Sequence, residues 1–345
     1  MSELRKDPVT EHWVVIAPER GSFPWPMPAE EPSAPDELNP FVEGHEAFTP
    51  PELWAVRAPG TAPNTPGWSV CVVPNRFPAL RVEGELAPAG VGVFDQINGI
   101  GAHEVIVESP DASMDWPDMG PGQLQRVLLA YSDRIRDLRH DVRLRYHTVF
   151  RCHGRAAGAT LSHPLSQLVG LPIIPPLPMA KLRSARTHFR AKERCLFADL
   201  IAQEQRLEKR VVLQSERFIV LAPYASRSPF ELVIYPLRQC HDIVLMSDDE
   251  RFELASVLIK VLGRLRTALN DPPYHLQLFT APNTTPRPGR TDMWSSLEVD
   301  YRWHLEILPQ LGPPGGFAAA TGCFVNPVPP EEATAYLRGL NGGSA

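Results

Sequence analysis

Residues 150–167, FRCHGRAAGATLSHPLSQ, gather most of the side chains in this chain that could handle a phosphate. Gly154 and Gly158, with small residues between them, let a ligand approach the backbone closely. Thr160 and the amides of the loop are candidate donors to phosphate oxygens, and Arg151 and Arg155 flank the loop with positive charge. The plain alternative is a Gly/Ala-rich turn without a ligand. Cys152 and His153 adjoin the loop, and a thiol with an imidazole makes a nucleophile and its base. Neighbours on a strand point to opposite faces, however, so these two are not expected to meet. Cys240 and His241 form a second such pair, just past a strand, and read as a loop feature. His304 and Glu306 alternate along one strand and therefore share a face. The basic loop from Pro286 to Arg290 reads as solvated.

These side chains must be held by short strands and two long helices. Residues 12–17, 69–74, 103–108, 146–151 and 168–174 are rich in β-branched or aromatic side chains and are bounded by turn formers, as are 210–213, 218–222, 230–235, 274–280 and 302–308. Leu124, Val127, Leu128, Tyr131, Ile135 and Leu138 recur at helical spacing over 123–139. Leu254, Val257, Leu258, Val261, Leu262 and Leu265 do the same over 251–269, after a Ser247–Glu250 capping box. Strand, helix, strand, strand occurs twice. The pattern predicts an α+β fold of two repeated units, each an antiparallel sheet with a packed helix, at 1–178 and 179–345. Too few helices separate the strands for a parallel doubly wound sheet.

Length and composition bound the function. A chain of 345 residues, 43% hydrophobic and 21% charged, suits two domains with full cores. A net charge of −6 argues against a nucleic-acid partner, which needs a basic face. No apolar run reaches membrane-span length, and the polar N-terminus has no signal-like apolar segment. The five cysteines (71, 152, 195, 240 and 323) are scattered and form no CxxC, which points to a reducing, cytoplasmic setting. Between residues 22 and 66, 11 of 45 residues are proline. Phe23, Trp25, Phe41, Phe48 and Trp54 within that stretch predict an extended arm docked on the surface rather than a loose linker.

The sequence resembles the galactose-1-phosphate uridylyltransferases, through DPVTEHWVVIAPER (7–20), VPNRFPAL (73–80), HEVIVESP (103–110), the loop to Gln167, APY and PFE (222–231) and WHLEILP (303–309). TGCFVNPVPPE (321–331) is similar to their archaeal and bacterial branch and to ADP-glucose phosphorylase-like proteins. The resemblance implies two histidine-triad-like repeats, a homodimer, and a nucleotide sugar or sugar 1-phosphate as ligand. It maps nucleotide and phosphate contacts onto Arg20, Asn75, Phe77, Gly158, Thr160 and Gln167.

The departures are as informative. The family's loop ends in His-Pro-His-x-Gln, and its second histidine becomes nucleotidylated; here that position is Leu165, which cannot attack phosphorus. Removing the nucleophile of a covalent enzyme has cost on the order of 10⁶ in rate. The family's zinc ligands fall on Asn39, Val42, Ala112 and His163, and one histidine does not make a four-ligand site. Its second metal site maps to about Lys181, Phe279, Arg302 and His304. Two further changes, to Cys152 and Phe23, affect the phosphate side. The resemblance thus implies no metal and no other cofactor. It implies a divergent member that binds a nucleotide sugar or sugar phosphate without nucleotidyl-histidine chemistry. The alternatives are an active nucleotidyltransferase using His163 or Cys152, and a non-catalytic partner of an active relative. Lys181 and Arg302 suggest a cationic patch for an anion, beside His304.

Overall fold

Ten strands form one continuous antiparallel sheet in the computed structural model, which describes residues 1–21, 39–286, 294–312 and 315–340. From edge to edge they are Val211–Gln214, Phe218–Leu221, Leu232–Pro236, His304–Pro309, Tyr274–Phe279, Tyr146–His153, Leu165–Leu171, Ala102–Val107, Trp68–Pro74 and Trp54–Arg57. The two halves mirror each other. In each, three strands follow in order, a helix crosses, and the last two strands pair in reversed sequence order. This is the duplicated α+β architecture the sequence predicts. The halves meet where Tyr274 pairs with His153 and Gln277 with Phe150, so the repeats share a sheet.

The two predicted helices, α1 (Pro121–Leu138) and α4 (Asp248–Leu269), pack together on one face. Pro121 opens α1, where a missing N–H is harmless. Ser247 and Glu250 close a reciprocal capping box on α4, and Asn270 ends it in a left-handed conformation at φ 56°. Their apolar stripes meet Val70, Val72, Ile106, Ile234, Leu276 and Ile307 in the main core.

The opposite face differs between the halves. Behind the second repeat lie α2 (Pro176–Lys192) and α3 (Leu196–Leu207), which the sequence reading does not anticipate. They bury Leu182, Ala185, Phe197 and Ile201 against Ile219, Val233 and Tyr235. Helix α2 has a weak periodic signal because its buried face includes Pro178, Lys181 and Ala185. Helix α3 has a readable one in Leu196, Phe197, Leu200 and Ile201. Behind the first repeat, among the described residues, a small cluster of Trp68, Cys71, Val73, Val105 and Val107 is covered by Phe41, Ala55 and Leu165.

The proline-rich stretch contributes a strand, Trp54–Arg57, and lays Phe41 on the sheet; Phe48 is 46% exposed. Phe23 and Trp25 lie outside the described residues. The N-terminal hairpin, drawn with the first repeat by the boundary at 178, packs on the second instead. Trp13–Ile16 pairs with Phe324–Asn326, and Arg5 reaches Glu331 at 2.9 Å. Among the described residues no helix is long and apolar enough to cross a membrane.

Candidate functional site

The glycine loop leaves strand 146–153 at Gly154 (φ 78°) and turns back at Gly158, left-handed at φ 86°. A side chain at either position would be strained. The turn engages its own amides. Ala157 and Ala159 donate to the Gly154 carbonyl, at 3.2 and 3.1 Å, and Gly158 donates to Arg155 at 2.8 Å. The expectation of a row of free amides for phosphate therefore does not hold at 157–159. Thr160 and Gly158 are exposed. Arg151 is not a flanking charge either. It is 3% exposed and points into the main core, with Nε on Glu108 at 3.0 Å and Nη1 on the Tyr274 hydroxyl at 2.7 Å. Trp116 and Ser166 also donate to Glu108. This buried network, under the loop, joins the two repeats.

His163 follows the loop and is 4% exposed. Its Nε2 lies 2.8 Å from the Ser109 carbonyl, and its Nδ1 lies 3.1 Å from the Asn39 amide nitrogen. A carbonyl only accepts, so Nε2 carries the proton and Nδ1 accepts from Asn39. Burial pushes the pKa of this ring down, which suits a neutral imidazole. Both nitrogens are engaged, and neither is available for a metal or for attack on phosphorus. Val42 and Ala112 offer no donor atom. The residues present therefore do not fit zinc; an amide–imidazole hydrogen bond holds that corner.

Strand 165–171 sets Leu165 and Gln167 on the face turned away from α1, while Ser166 and Leu168 are buried on the other. Gln167 Oε1 lies 2.7 Å from His103 Nε2, and Asn75 Nδ2 lies 3.1 Å from the same nitrogen. The His103 Nδ1 takes the Ala79 amide at 3.1 Å. Two predicted contacts, Asn75 and Gln167, are thus brought together through His103. That histidine opens the HEVIVESP motif, yet its residue type and spacing alone assign it no contact. The Asn75 Oδ1 caps the Phe77 amide at 2.9 Å and projects a ring that is 84% exposed. Arg20 stands exposed at the end of a short turn, and no contact joins it to the others.

Cys152 faces the same open side and, as strand alternation requires, does not meet His153. Its Sγ lies 3.5 Å from Nδ1 of His275, its partner across the junction of the repeats. Burial raises the thiol's pKa and lowers that of the imidazole, so the pair rests neutral. His153 turns to the opposite side, where it stacks on Tyr274 and lies 3.2 Å from Asp271. Asp115, His153 and Asp271 bring ligand atoms within 4.8 Å of one another. Arg151 and Arg266 already bond Asp115, and Arg266 reaches Asp271 at 3.4 Å. A cation there would face two guanidinium groups, so this trio does not fit a metal.

In the second repeat, His304 and Glu306 share a face, as the alternation predicts, and meet Lys181 of α2. The Lys181 ammonium, 1% exposed, bonds Glu306, lies 2.8 Å from His304 Nε2 and sits 3.5 Å above the Phe279 ring. His304 Nδ1 donates to the Arg302 carbonyl at 3.0 Å, so its Nε2 accepts from the ammonium. Burial and then the Lys181 charge push the His304 pKa down to about 3. Burial works against ionised Glu306, yet Lys181 and Arg227 hold its carboxyl below the ordinary range. A cation already fills this site, and the residues do not fit a metal. Arg302 donates to the carbonyls of Pro236 and Leu237 at 2.7 and 2.9 Å. Both cations serve internal partners, so the expected anion patch is not formed. Cys240 is buried, bonding the Asp242 carbonyl; the loop from 287 to 290 lies outside the described residues.

Comparisons with known proteins bear on the family and the fold. The family described as galactose-1-phosphate uridyl transferase, C-terminal domain, matches residues 181–295. The chain is 33% identical over 342 residues to an ADP-glucose phosphorylase of Arabidopsis thaliana, covering 97% of this chain and 92% of the relative. It is 26% identical to a galactose-1-phosphate uridylyltransferase of Thermotoga maritima, over 98% of each chain. The crystal structure of an ADP-glucose phosphorylase from Arabidopsis thaliana with bound ADP-glucose superimposes at a TM-score of 0.81, with 31% identity and 99% of both chains covered.

Proposed function

We propose a ligand-binding role without covalent catalysis for this chain, which belongs to the galactose-1-phosphate uridylyltransferase family. The ligand is a nucleotide sugar or a sugar 1-phosphate. It binds on the open face of the first repeat, between the glycine loop, Gln167 and the Asn75–Phe77 turn. One observation carries the reading. His163, two residues before Leu165 in the bend that precedes its strand, is buried with both ring nitrogens hydrogen-bonded. No group at 163 or 165 can form a nucleotidyl-histidine. The exposed Phe77 ring offers a stacking surface for a base, and Gln167 and Asn75 offer amides. A homodimer is part of the proposal, since among the described residues the face is open and a second copy can complete it.

A second reading follows from the Cys152–His275 pair, which could supply a thiol nucleophile with its base. The raised thiol pKa weighs against it, because the thiolate is the attacking species.

Equilibrium dialysis of the protein with radiolabelled UDP-glucose and ADP-glucose, followed by a denaturing quench, tests both readings. The expected result is saturable binding of one nucleotide sugar with no label left on the denatured chain. A stoichiometric, acid-labile histidine adduct would overturn it. Label lost on substituting Cys152→Ser would establish the thiol route instead. Sedimentation equilibrium checks the dimer.

A further inference from the structure

A cavity of about 850 Å³ lies in the second repeat, between the Asp7–Thr10 turn, helix α3 and the strands around Tyr235. None of its lining belongs to the glycine loop or to the face around Gln167. Its floor is a buried charge network. Arg227 Nε and Nη2 hold Glu231 at 2.9 and 2.6 Å, and Nη2 also holds Glu306 at 2.6 Å. Lys181 takes the other oxygen of Glu306. Two carboxylates are thus matched by two cations from within the protein.

Two polar groups on that floor remain unmatched. Arg227 Nη1 and the Tyr235 hydroxyl have no hydrogen-bond partner among the described residues, and neither is among the polar atoms sealed from solvent. Both residues line the cavity, and Tyr235 is 4% exposed. A guanidinium nitrogen only donates, and a phenol can donate. At the rim, Arg206 and Lys209 form no ion pair among the described residues. Unmatched donors at the bottom and unpaired cations at the rim complement a negatively charged oxygen group. The turn that presents the floor is also strained, since Phe230, next to Glu231, holds φ at 61°.

We infer that this cavity is a second binding site, for a small molecule bearing an oxyanion that Arg227 Nη1 and the Tyr235 hydroxyl receive. Phosphate and carboxylate share that chemistry, and the volume suits a molecule of sugar-phosphate size. The inference is independent of the first-repeat reading.

Calorimetric titration of the full chain with inorganic phosphate and, separately, with succinate tests it. Saturable binding of at least one is expected, and the tighter of the two identifies the anion class. Tyr235→Phe removes a hydroxyl that no protein group uses, so the fold is retained, which thermal melting checks. It should weaken binding about tenfold, the effect of one charge-assisted hydrogen bond. Arg206→Ala with Lys209→Ala should weaken binding and flatten its salt dependence. Lys260→Ala, on the exposed side of α4, should leave it unchanged. No saturable binding of either anion, or equal affinity in the wild type and Tyr235→Phe, would overturn the site. Loss on Gln167→Ala alone would move the anion to the first repeat.

Discussion

One row of side chains crosses the sheet from Val105 through Gln167, Phe150, Gln277 and Glu306 to Val233, each directly opposite the next. The row lies on one face throughout, yet its two ends live in different solvents. Gln167 is half-exposed and bonds a half-exposed histidine. Glu306 is buried under α2 with an ammonium and a guanidinium on it. The duplication supplies the same frame to both halves, and helices α2 and α3 lie behind the second repeat, covering most of its face and leaving a cavity beside Tyr235. The two places onto which the resemblance maps metal sites differ in the same sense. In the first repeat a neutral amide meets a neutral ring. In the second, deep burial of a carboxylate demands a positive charge, and Lys181 provides it.

The largest effect expected on that contrast comes from Leu165→His. Position 165 lies on the open face, two residues from Gln167, and a histidine there has a free ring nitrogen. Incubation with the nucleotide sugar that binds should take covalent labelling from none to a stoichiometric adduct. The equivalent position in the second repeat, His304, already holds an imidazole, but its Nε2 accepts from Lys181, so it should take no label in the wild type. An unlabelled Leu165→His protein that still binds the ligand would show that the pocket no longer places phosphorus in line with position 165.

Next in size is Lys181→Met. It leaves Glu231 and Glu306 to share one guanidinium in a buried setting, and removing one partner of a buried ion pair costs about 3–5 kcal/mol. Urea unfolding should register that loss, and Lys181→Met with Glu306→Gln should recover part of it. Gln167→Ala, on the open face, should change stability by well under about 1 kcal/mol. Equal losses from the two would erase the distinction between a buried ion network and a half-exposed amide.

A smaller effect is a shared pH dependence. Burial pushes His304 down to about 3 and His147 down to about 4, and lowers His163 as well. In the unfolded chain a histidine titrates near about 6.5. The folded state therefore favours the neutral rings. Their contribution is full above that pH and is lost as pH falls from there toward the folded values. The unfolded chain binds more protons in this window, with a slope of up to about 1.4 kcal/mol per pH unit for each ring. Urea midpoints at pH 7.5, 6 and 5 should fall in that order; a flat profile would contradict neutral burial of these rings.

The sequence exposes the frame better than the site. Apolar periodicity marks α1, α4 and the duplicated strands because their buried faces are simply apolar. It misses α2, whose buried face carries Lys181 and two small or cyclic residues, and so it misses the roof over the second repeat. Motif resemblance finds Asn75 and Gln167 but not His103 between them, because that contact depends on register between strands 64 residues apart in the chain. The reading of Lys181 and Arg302 as an anion patch fails for a related reason. Residue type reveals charge, while only the packed structure reveals which carboxylate or carbonyl already answers it.

The smallest effect, and the sharpest test of the neutral lock, concerns Asn39. Asn39→Ala leaves the buried His163 Nδ1 without its donor and removes the bond that Asn39 Oδ1 makes to the Phe41 amide at 3.0 Å. An unsatisfied buried nitrogen of this kind costs about 1–3 kcal/mol, so a modest drop in melting temperature is expected. Asn39→Asp reverses the electrostatics instead. Nε2 must still donate to the Ser109 carbonyl, and a carboxylate beside Nδ1 can only accept, so the ring is satisfied only when it carries both protons. The His163 pKa should then rise rather than sit below its ordinary value. A raised histidine stabilises the fold at low pH and withdraws that support as pH rises through its folded pKa. Relative to wild type, Asn39→Asp should therefore lose less stability between pH 7 and 5. Histidine NMR titration reads the ring directly. A pKa for His163 that stays depressed in the Asn39→Asp protein would mean that the residue at position 39 does not set its protonation.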